Sequence, residues 1–177
     1  MINYRNFSAA IIFIIIFVFC PASYDHARGS GSADDLVGGK APSFELKDLS
    51  GNVVYLSSFR GRAVLLNFWA TWCPYCRKER PHLGSLHTEY KDRGLVIISV
   101  ATDRSENDIR NFMKDTPADF IVLADTNREA ASLYNVRGYP TTFLIDREGM
   151  VRQKFVGFRE WTTSDMKKVF DSVIDRN

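Results

Sequence analysis

Two continuous apolar stretches dominate the hydrophobic pattern of this chain after residue 40. Residues 63–68 are apolar except for Asn67, and residues 95–101 are apolar except for Ser99. Both stretches are typical of strands that are covered on both faces. The segment between them predicts a helix that ends near Arg93. A strand, a helix and a strand in this order predict two parallel strands joined by a right-handed crossover.

Shorter patterns extend this unit into an α/β domain. The other predicted strands cover residues 44–47, 53–56, 121–123, 141–145 and 151–156, and the other predicted helices cover residues 105–115, 127–134 and 162–174. The first two strands flank a turn signal at residues 50–52, which predicts an N-terminal β-hairpin. Arg152 and Lys154 lie in the last strand, and such charges are typical of an exposed sheet edge.

The chain before residue 41 has the pattern of an export segment followed by a linker. Residues 9–19 form an apolar run of 11 residues after Arg5. A helix of that length would span about 16 Å, whereas a bilayer core is about 30 Å thick. We therefore expect residues 1–22 to be a signal peptide, cleaved after Ala22, or a signal anchor. Residues 23–40 are polar and rich in glycine and serine, which predicts a flexible linker, and residues 41–177 form the predicted domain.

Composition narrows the classes of partner. Lysine and arginine number 23 and aspartate and glutamate 21, so the chain has no strong field to attract a nucleic acid. With three cysteines the chain cannot form a disulfide-stapled miniature fold, and 13 phenylalanines can fill an ordinary apolar core. The closely spaced pair Cys73 and Cys76 therefore needs a chemical explanation.

The cysteine pair lies where a predicted buried strand ends and a predicted helix begins. If Cys73 caps this helix, Pro74 takes the first helical position, where its missing N–H costs nothing. The free N–H groups and the helix dipole would then favour a Cys73 thiolate and make Cys73 the nucleophile. Cys76 lies one turn further along and could resolve a mixed disulfide. This geometry predicts a redox-active Cys73–Cys76 disulfide.

Glu79 lies one turn beyond Cys76 on the same predicted helix. Five residues at steps of three and four share one stripe: Cys76, Glu79, Leu83, Leu86 and Tyr90. A core-facing Glu79 would have a raised pKa and could exchange a proton with Cys76. The alternative is that Glu79 reaches solvent or pairs with Lys78 or Arg80. Pro81, inside the helix, predicts a kink.

A second proline lies at the start of a predicted strand, in the sequence Tyr139-Pro140. A cis bond here would bring the Tyr139 backbone up against the cysteines, and X-Pro is the only bond at which cis costs little. The Tyr139 carbonyl and amide could then pair with an extended substrate peptide. A trans proline that simply begins the strand is the alternative, and the residues alone leave both open.

Four segments of the chain resemble the thioredoxin superfamily and, within it, the TlpA/ResA-like thiol-disulfide oxidoreductases of the bacterial cell envelope. They read APSFELKDLSG, LSSFRGRAVLLNFWATWCPYCRKERP, VIISVATD and YPTTFLIDREGMV, and they cover nearly all of residues 41–157. The resemblance implies a thioredoxin-like fold, with a central mixed β-sheet flanked by helices and an inserted segment at about residues 105–123. It also implies that Cys73 attacks, Cys76 resolves, Glu79 assists and the bond before Pro140 is cis.

The resemblance further implies a function outside the cytoplasm. The substrates would be disulfide-containing envelope proteins, such as cytochrome c apoproteins, and a membrane thiol donor would re-reduce the enzyme without a bound cofactor. The expected docking surface for substrates consists of Trp72, Pro74, Tyr75, Tyr139 and Pro140.

Two features of the sequence depart from related patterns. Pro74-Tyr75 is the dipeptide of many glutaredoxins, whereas relatives in this family often have proline second, so the redox direction stays open. Asn67 occupies a position where ordinary thioredoxins have a buried aspartate. We expect Asn67 to be structural and to need hydrogen-bond partners inside the sheet.

Three alternatives to this function make different demands on the cysteine pair. A metal site would need Cys73, Cys76, His82 and His87, but Cys76 to His82 rotates by about 240° and His82 to His87 by about 140° around one helix, so they cannot converge. A structural disulfide in a non-catalytic binding domain is the second alternative. A peroxiredoxin-like peroxidase is the third, although residues 63–73 lack the proline of its usual cysteine motif.

Overall fold

The computed structural model describes residues 36–175, whose strands form a single seven-stranded sheet in the order β2-β1-β5-β4-β3-β6-β7. The strands are β1 (Glu45–Asp48), β2 (Val53–Tyr55), β3 (Ala63–Trp69), β4 (Leu95–Ala101), β5 (Ile121–Ala124), β6 (Thr141–Ile145) and β7 (Val151–Val156). The helices are α1 (Pro74–Tyr90), α2 (Glu106–Asp115), α3 (Glu129–Leu133) and α4 (Ser164–Ile174).

The interior of the sheet is built from the two apolar stretches. Strands β3 and β4 are buried along their whole length and pair in parallel, from Ala63 opposite Leu95 to Trp69 opposite Ala101. Strand β6 pairs antiparallel with the other side of β3, and β5 pairs parallel with β4. Because helices cover both faces of the sheet, the sequences of these strands do not alternate between apolar and polar residues.

The two faces of the sheet carry separate apolar cores. Alternate residues of a strand point to opposite faces, so Leu65 and Trp69 pack on one side and Leu66 and Phe68 on the other. Helices α1, α2 and α4 cover the face of Trp69, whereas α3 covers the face of Phe68. Asn67 falls in register with Leu65 and Trp69, so it points toward the helix that begins at the cysteine pair.

Short elements differ from the sequence expectations at their ends. The first hairpin pairs Glu45 with Tyr55, and a short 3₁₀ turn follows β2 at Leu56–Phe59. Helix α3 begins two residues later than predicted, after Arg128 with φ of 60°. Helix α1 ends at Tyr90, and a 3₁₀ turn at Lys91–Arg93 leads into Gly94, whose φ of 93° suits glycine.

The export segment predicted at residues 1–22 lies outside the described residues, as does most of the predicted linker at residues 23–40. The last residues of that linker pack on the domain. The Gly38 N–H donates to the Val151 carbonyl at 2.8 Å, and the Val151 N–H donates to the Gly39 carbonyl at 2.9 Å. They cover part of the β7 edge. No helix among residues 36–175 has the length and apolar character needed to cross a membrane.

Candidate active site

The cysteine motif begins at the turn between β3 and α1. Cys73 is the N-cap of α1, and its sulfur accepts a hydrogen bond from the Cys76 N–H at 3.2 Å. Pro74 occupies the first helical position, as the spacing predicts. The turn is tied to the end of β4, because Asp103 accepts bonds from the Thr71 N–H and, at 2.6 Å, from the Thr71 hydroxyl. Cys73 therefore follows a turn that these hydrogen bonds hold in place.

The two cysteines are joined by a disulfide bond, with their Cα atoms 5.3 Å apart. Cys73 is 4 % exposed and Cys76 is 2 % exposed, so the bond faces the protein interior more than solvent. Both side chains belong to the core cluster that contains Trp69. In the reduced state, the Cys76 N–H and the first turn of α1 would favour negative charge on the Cys73 sulfur.

Glu79 lies inside the protein, between α1 and the sheet, and is 1 % exposed. Its Oε1 accepts the Arg159 backbone N–H at 3.0 Å, and its Oε2 accepts the Asn67 side-chain N–H at 3.1 Å. Burial raises the pKa of Glu79 to about 7, and the bonds from Arg159 and Asn67 only partly oppose this rise. Glu79 therefore neither reaches solvent nor pairs with a cation on its own helix.

Asn67 connects Glu79 to the next strand of the sheet. Its side-chain N–H group donates to Glu79 Oε2 and also, at 2.9 Å, to the Thr142 hydroxyl. Thr142 on β6 is therefore the expected partner inside the sheet, and the second partner, Glu79 on α1, is the candidate acid itself. A single polar residue in an otherwise apolar strand, on the same face as Trp69, was the only sequence signal for this contact.

Aromatic side chains surround the disulfide on the outside. Trp72 is 66 % exposed and Tyr75 is 65 % exposed, and Pro74 between the cysteines is also exposed. The Trp72 ring lies edge-on to the Tyr139 ring, with their centroids 5.8 Å apart. The Tyr139-Pro140 peptide bond is cis, which confirms that prediction. Pro140 itself is buried, so the accessible surface comes mainly from the aromatic residues.

Comparison with known proteins identifies the family. Residues 37–154 match the model of the AhpC/TSA family. The chain belongs to this family. It is 39 % identical over 121 residues to a thiol-disulfide oxidoreductase ResA of Bacillus cereus, a match that covers 68 % of this chain and 70 % of the relative. It is also 36 % identical over 146 residues to ResA of Bacillus subtilis (strain 168), with 81 % and 82 % covered.

Solved structures show the same fold. A crystal structure described as a thiol:disulfide interchange protein DsbE, from Chlorobium tepidum, superposes with a TM-score of 0.73 at 37 % identity, covering 78 % of this chain and 97 % of that one. The thioredoxin domain of a thiol-disulfide oxidoreductase from Bacteroides vulgatus gives 0.68 at 30 % identity, with 77 % and 97 % covered. These relatives confirm the predicted thioredoxin-like fold, the ResA-like family and the enzyme class of thiol-disulfide oxidoreductase.

Several residues of this oxidoreductase site were not found from the sequence. Thr142 and the Arg159 backbone complete the surroundings of Glu79, and Asp103 holds the turn before Cys73 through Thr71. Each comes from a segment distant from the cysteine motif, so no spacing rule connects them. Only Asp103 could have been recognised as a site residue from the sequence, because it is an acidic residue just after an apolar strand.

The two histidines that were considered as metal ligands pack against different phenylalanine rings in this oxidoreductase. His82 lies 5.6 Å from the Phe158 ring, and His87 lies 6.1 Å from the Phe120 ring. In the part of the chain that the structure describes, no group of three or more histidine, cysteine, aspartate or glutamate side chains is arranged to hold a metal ion.

Proposed function

We propose that this thiol-disulfide oxidoreductase reduces disulfides of envelope proteins outside the cytoplasm, through its Cys73-Pro74-Tyr75-Cys76 motif. The observation that carries the proposal is the Cys73–Cys76 disulfide at the first turn of α1, where the Cys76 N–H is directed at the Cys73 sulfur. A helix start of this kind stabilises a thiolate, and a thiolate is the attacking form of cysteine.

The reaction proceeds in two exchanges. The Cys73 thiolate attacks one sulfur of the substrate disulfide, forms a mixed disulfide and releases the other substrate sulfur as a thiolate. Cys76 then loses its proton and attacks the Cys73 sulfur, which releases the second substrate thiol and closes the Cys73–Cys76 bond. Two electrons pass from the enzyme dithiol to the substrate. A membrane thiol donor restores the dithiol for the next turnover.

Glu79 is the proposed acceptor of the Cys76 proton. It lies one helical turn from Cys76, so the two side chains share a face of α1. With a pKa of about 7, its carboxyl group is present in both protonation states near neutral pH. A group of that pKa is suited to take a proton from a thiol and to return it later.

The proposed substrate surface is the aromatic rim formed by Trp72, Tyr75 and Tyr139, together with the exposed Pro74, whereas the buried Pro140 lies beneath it, directly after Tyr139. Exposed aromatic rings bury large areas on contact with little loss of side-chain freedom. The Tyr139 backbone before the cis bond is proposed to pair with an extended segment of the substrate. Family resemblance favours cytochrome c apoproteins, whose haem-binding cysteines must be reduced.

Separate serine variants of the two cysteines test these roles. We expect Cys73→Ser to abolish reduction of a disulfide-bonded protein, whereas Cys76→Ser still attacks and accumulates mixed disulfides, visible on non-reducing gels of envelope extracts. Full turnover by Cys73→Ser would contradict the assignment. Identification of the proteins trapped by Cys76→Ser would reveal the substrates.

Two further measurements separate the alternatives. A structural disulfide should resist reduction in glutathione buffers that reduce a catalytic one, so titration of free thiols distinguishes the two. Rapid consumption of hydrogen peroxide by the reduced protein, with slow reduction of protein disulfides, would instead favour the peroxidase.

A further inference from the structure

Arg80 is a buried cation that the proposed reaction does not use. It follows Glu79 on α1, is only 8 % exposed and points toward α2. Its guanidinium carbon lies 4.6 Å from the Trp69 ring centre, 5.5 Å from that of Phe112 and 5.7 Å from that of Phe120. A guanidinium is rarely buried in this way without a negative partner.

Within residues 36–175, Arg80 has hydrogen-bond acceptors but no counterion for its positive charge. Its Nη2 donates to the Thr116 carbonyl and to the Met113 sulfur, both at 3.2 Å. Its Nη1 has no hydrogen-bond partner among residues 36–175. No carboxylate of the described residues forms an ion pair with Arg80. Burial lowers the pKa of Arg80 to about 10, so the side chain is still charged at neutral pH.

A second arginine approaches the same ring from the exposed side. The Arg77 guanidinium carbon lies 5.4 Å from the Phe112 ring centre, and Arg77 also forms no ion pair within the described part of the chain. Two like charges at one ring repel each other. A bound anion would relieve this repulsion and supply the missing counterion.

A cavity of about 390 Å³ opens beside these two arginines, between α1 and the end of α2. The remaining wall is mainly apolar or backbone and consists of Pro81, Gly84, Phe112, Thr116 and Pro117. The volume is within the range of sites that bind organic groups, and an apolar wall with a few polar groups is the usual composition of such sites. A carboxylate attached to an apolar body fits both properties.

We propose that this arginine cavity binds an acidic residue and its apolar neighbour in the polypeptide substrate of the enzyme, close to the disulfide being reduced. The proposal rests on the proposed function, because the substrate is assigned to the cavity on the ground that the cavity lies beside the proposed reaction site. Arg77 directly follows Cys76, and its Nε donates to the Thr71 carbonyl at 2.5 Å, beside the exposed Trp72. A substrate chain lying across the aromatic rim can therefore continue into the cavity.

Binding of short peptides without cysteine tests the cavity separately from any thiol chemistry. The probes are two labelled peptides that differ only in a Glu-Phe or Gln-Phe step, and anisotropy with the oxidised protein measures their affinity. We expect the glutamate peptide to bind at least about tenfold more tightly than the glutamine peptide. This preference should fall below about twofold in Arg77→Met and Arg80→Met, and it should weaken with added salt.

Lys168→Met is the matched control, because it removes one positive charge from an exposed position on α4. It should keep the wild-type preference. Arg77 is exposed, so Arg77→Met keeps the test decisive even if Arg80→Met does not fold. Equal binding of the two peptides by the wild-type protein, or an unchanged preference in Arg77→Met, would overturn the proposal.

A free carboxylate, 3-phenylpropionate, distinguishes a polypeptide occupant from a small acid. It should displace the glutamate peptide from the wild-type protein. Binding of 3-phenylpropionate without any preference between the peptides would overturn the polypeptide assignment. Failure of the proposed reductase function would appear instead in the assay that compares disulfide reduction by the wild-type and Cys73→Ser proteins. That assay contains no cavity variant.

Discussion

At the scale of single residues, Glu79 is the most informative side chain. A carboxylate that is 1 % exposed loses nearly all of its hydration, and two hydrogen bonds only partly replace it. The protein therefore holds this group near the midpoint of its titration at neutral pH. The same burial that makes Glu79 a suitable proton acceptor also makes the folded protein less stable when Glu79 is ionised.

We predict that Glu79→Gln removes a pH dependence from the stability of the oxidised protein. The pKa of Glu79 is about 7 in the folded state against 4.5 as its ordinary value, so the folded state binds more protons between these values. The wild-type free energy of unfolding should therefore fall as pH rises from about 4.5 through 7, by up to about 3 kcal/mol. Urea unfolding of both proteins at pH 5 and pH 8 measures the difference.

The control for this measurement is Glu45→Gln, which changes an exposed carboxylate on β1. It should keep the wild-type pH dependence. The same fall in stability between pH 5 and pH 8 in Glu79→Gln would show that another group causes it.

At the scale of elements, the start of α1 depends on contacts that lie outside the helix. Cys73 and Pro74 supply a local cap and a suitable first residue. The turn before them is held by Asp103, at the end of β4, through the backbone and hydroxyl of Thr71. Helix α1 continues as one α-helix through Pro81, and the kink expected there stays a prediction.

We predict that Asp103→Ala destabilises the protein by about 1–3 kcal/mol, because it leaves the Thr71 N–H and hydroxyl without their acceptor. Thr71→Val is the matched variant, since it removes only the hydroxyl bond and keeps the branched shape, at a cost of about 1 kcal/mol. Urea unfolding compares the two. An equal loss in both variants would mean that the backbone bond contributes nothing.

At the scale of the whole molecule, the described chain enters the domain at the end of the sheet remote from the disulfide. The backbone before Pro42 pairs with Gly149 and Val151, and Val151 lies opposite Ile145 in the register of β6 and β7. Ile145 in turn lies opposite Val64, near the start of β3, whereas Cys73 follows its other end. A tether at this entry point would leave the cysteine motif directed away from it.

We predict that residues 1–40 export a passenger protein. An apolar run of 11 residues after a positive charge is typical of a secretory signal. A fusion to a reporter that needs disulfides outside the cytoplasm should be active, whereas a fusion of residues 23–40 should not. An inactive fusion of residues 1–40 would contradict export, and the size of the exported product distinguishes cleavage from anchoring.

Much of the fold could be predicted because its signals are local. Strands β4, β6 and β7 begin and end at the predicted residues. Strand β4 is buried on both faces and gives a nearly continuous apolar run, whereas the edge strand β7 alternates buried Val151 and Phe155 with polar residues. The start of α3 was misplaced because Asp125, in the preceding loop, accepts the N–H groups of Glu129 and Ala131. That contact depends on how the loop folds back, which periodicity does not reveal.

The sequence by itself determined the spacing of Cys73 and Cys76, the helix that begins between them and the helical stripe that Glu79 shares with Cys76, because helical periodicity relates residues three and four apart. Only the tertiary structure decided what meets Glu79 and Arg80. Thr142 reaches Asn67 across 75 positions and Arg159 reaches Glu79 across 80. Such contacts depend on strand register and on how α2 packs against α1, and both are settled by burial over the whole domain and not by any short pattern.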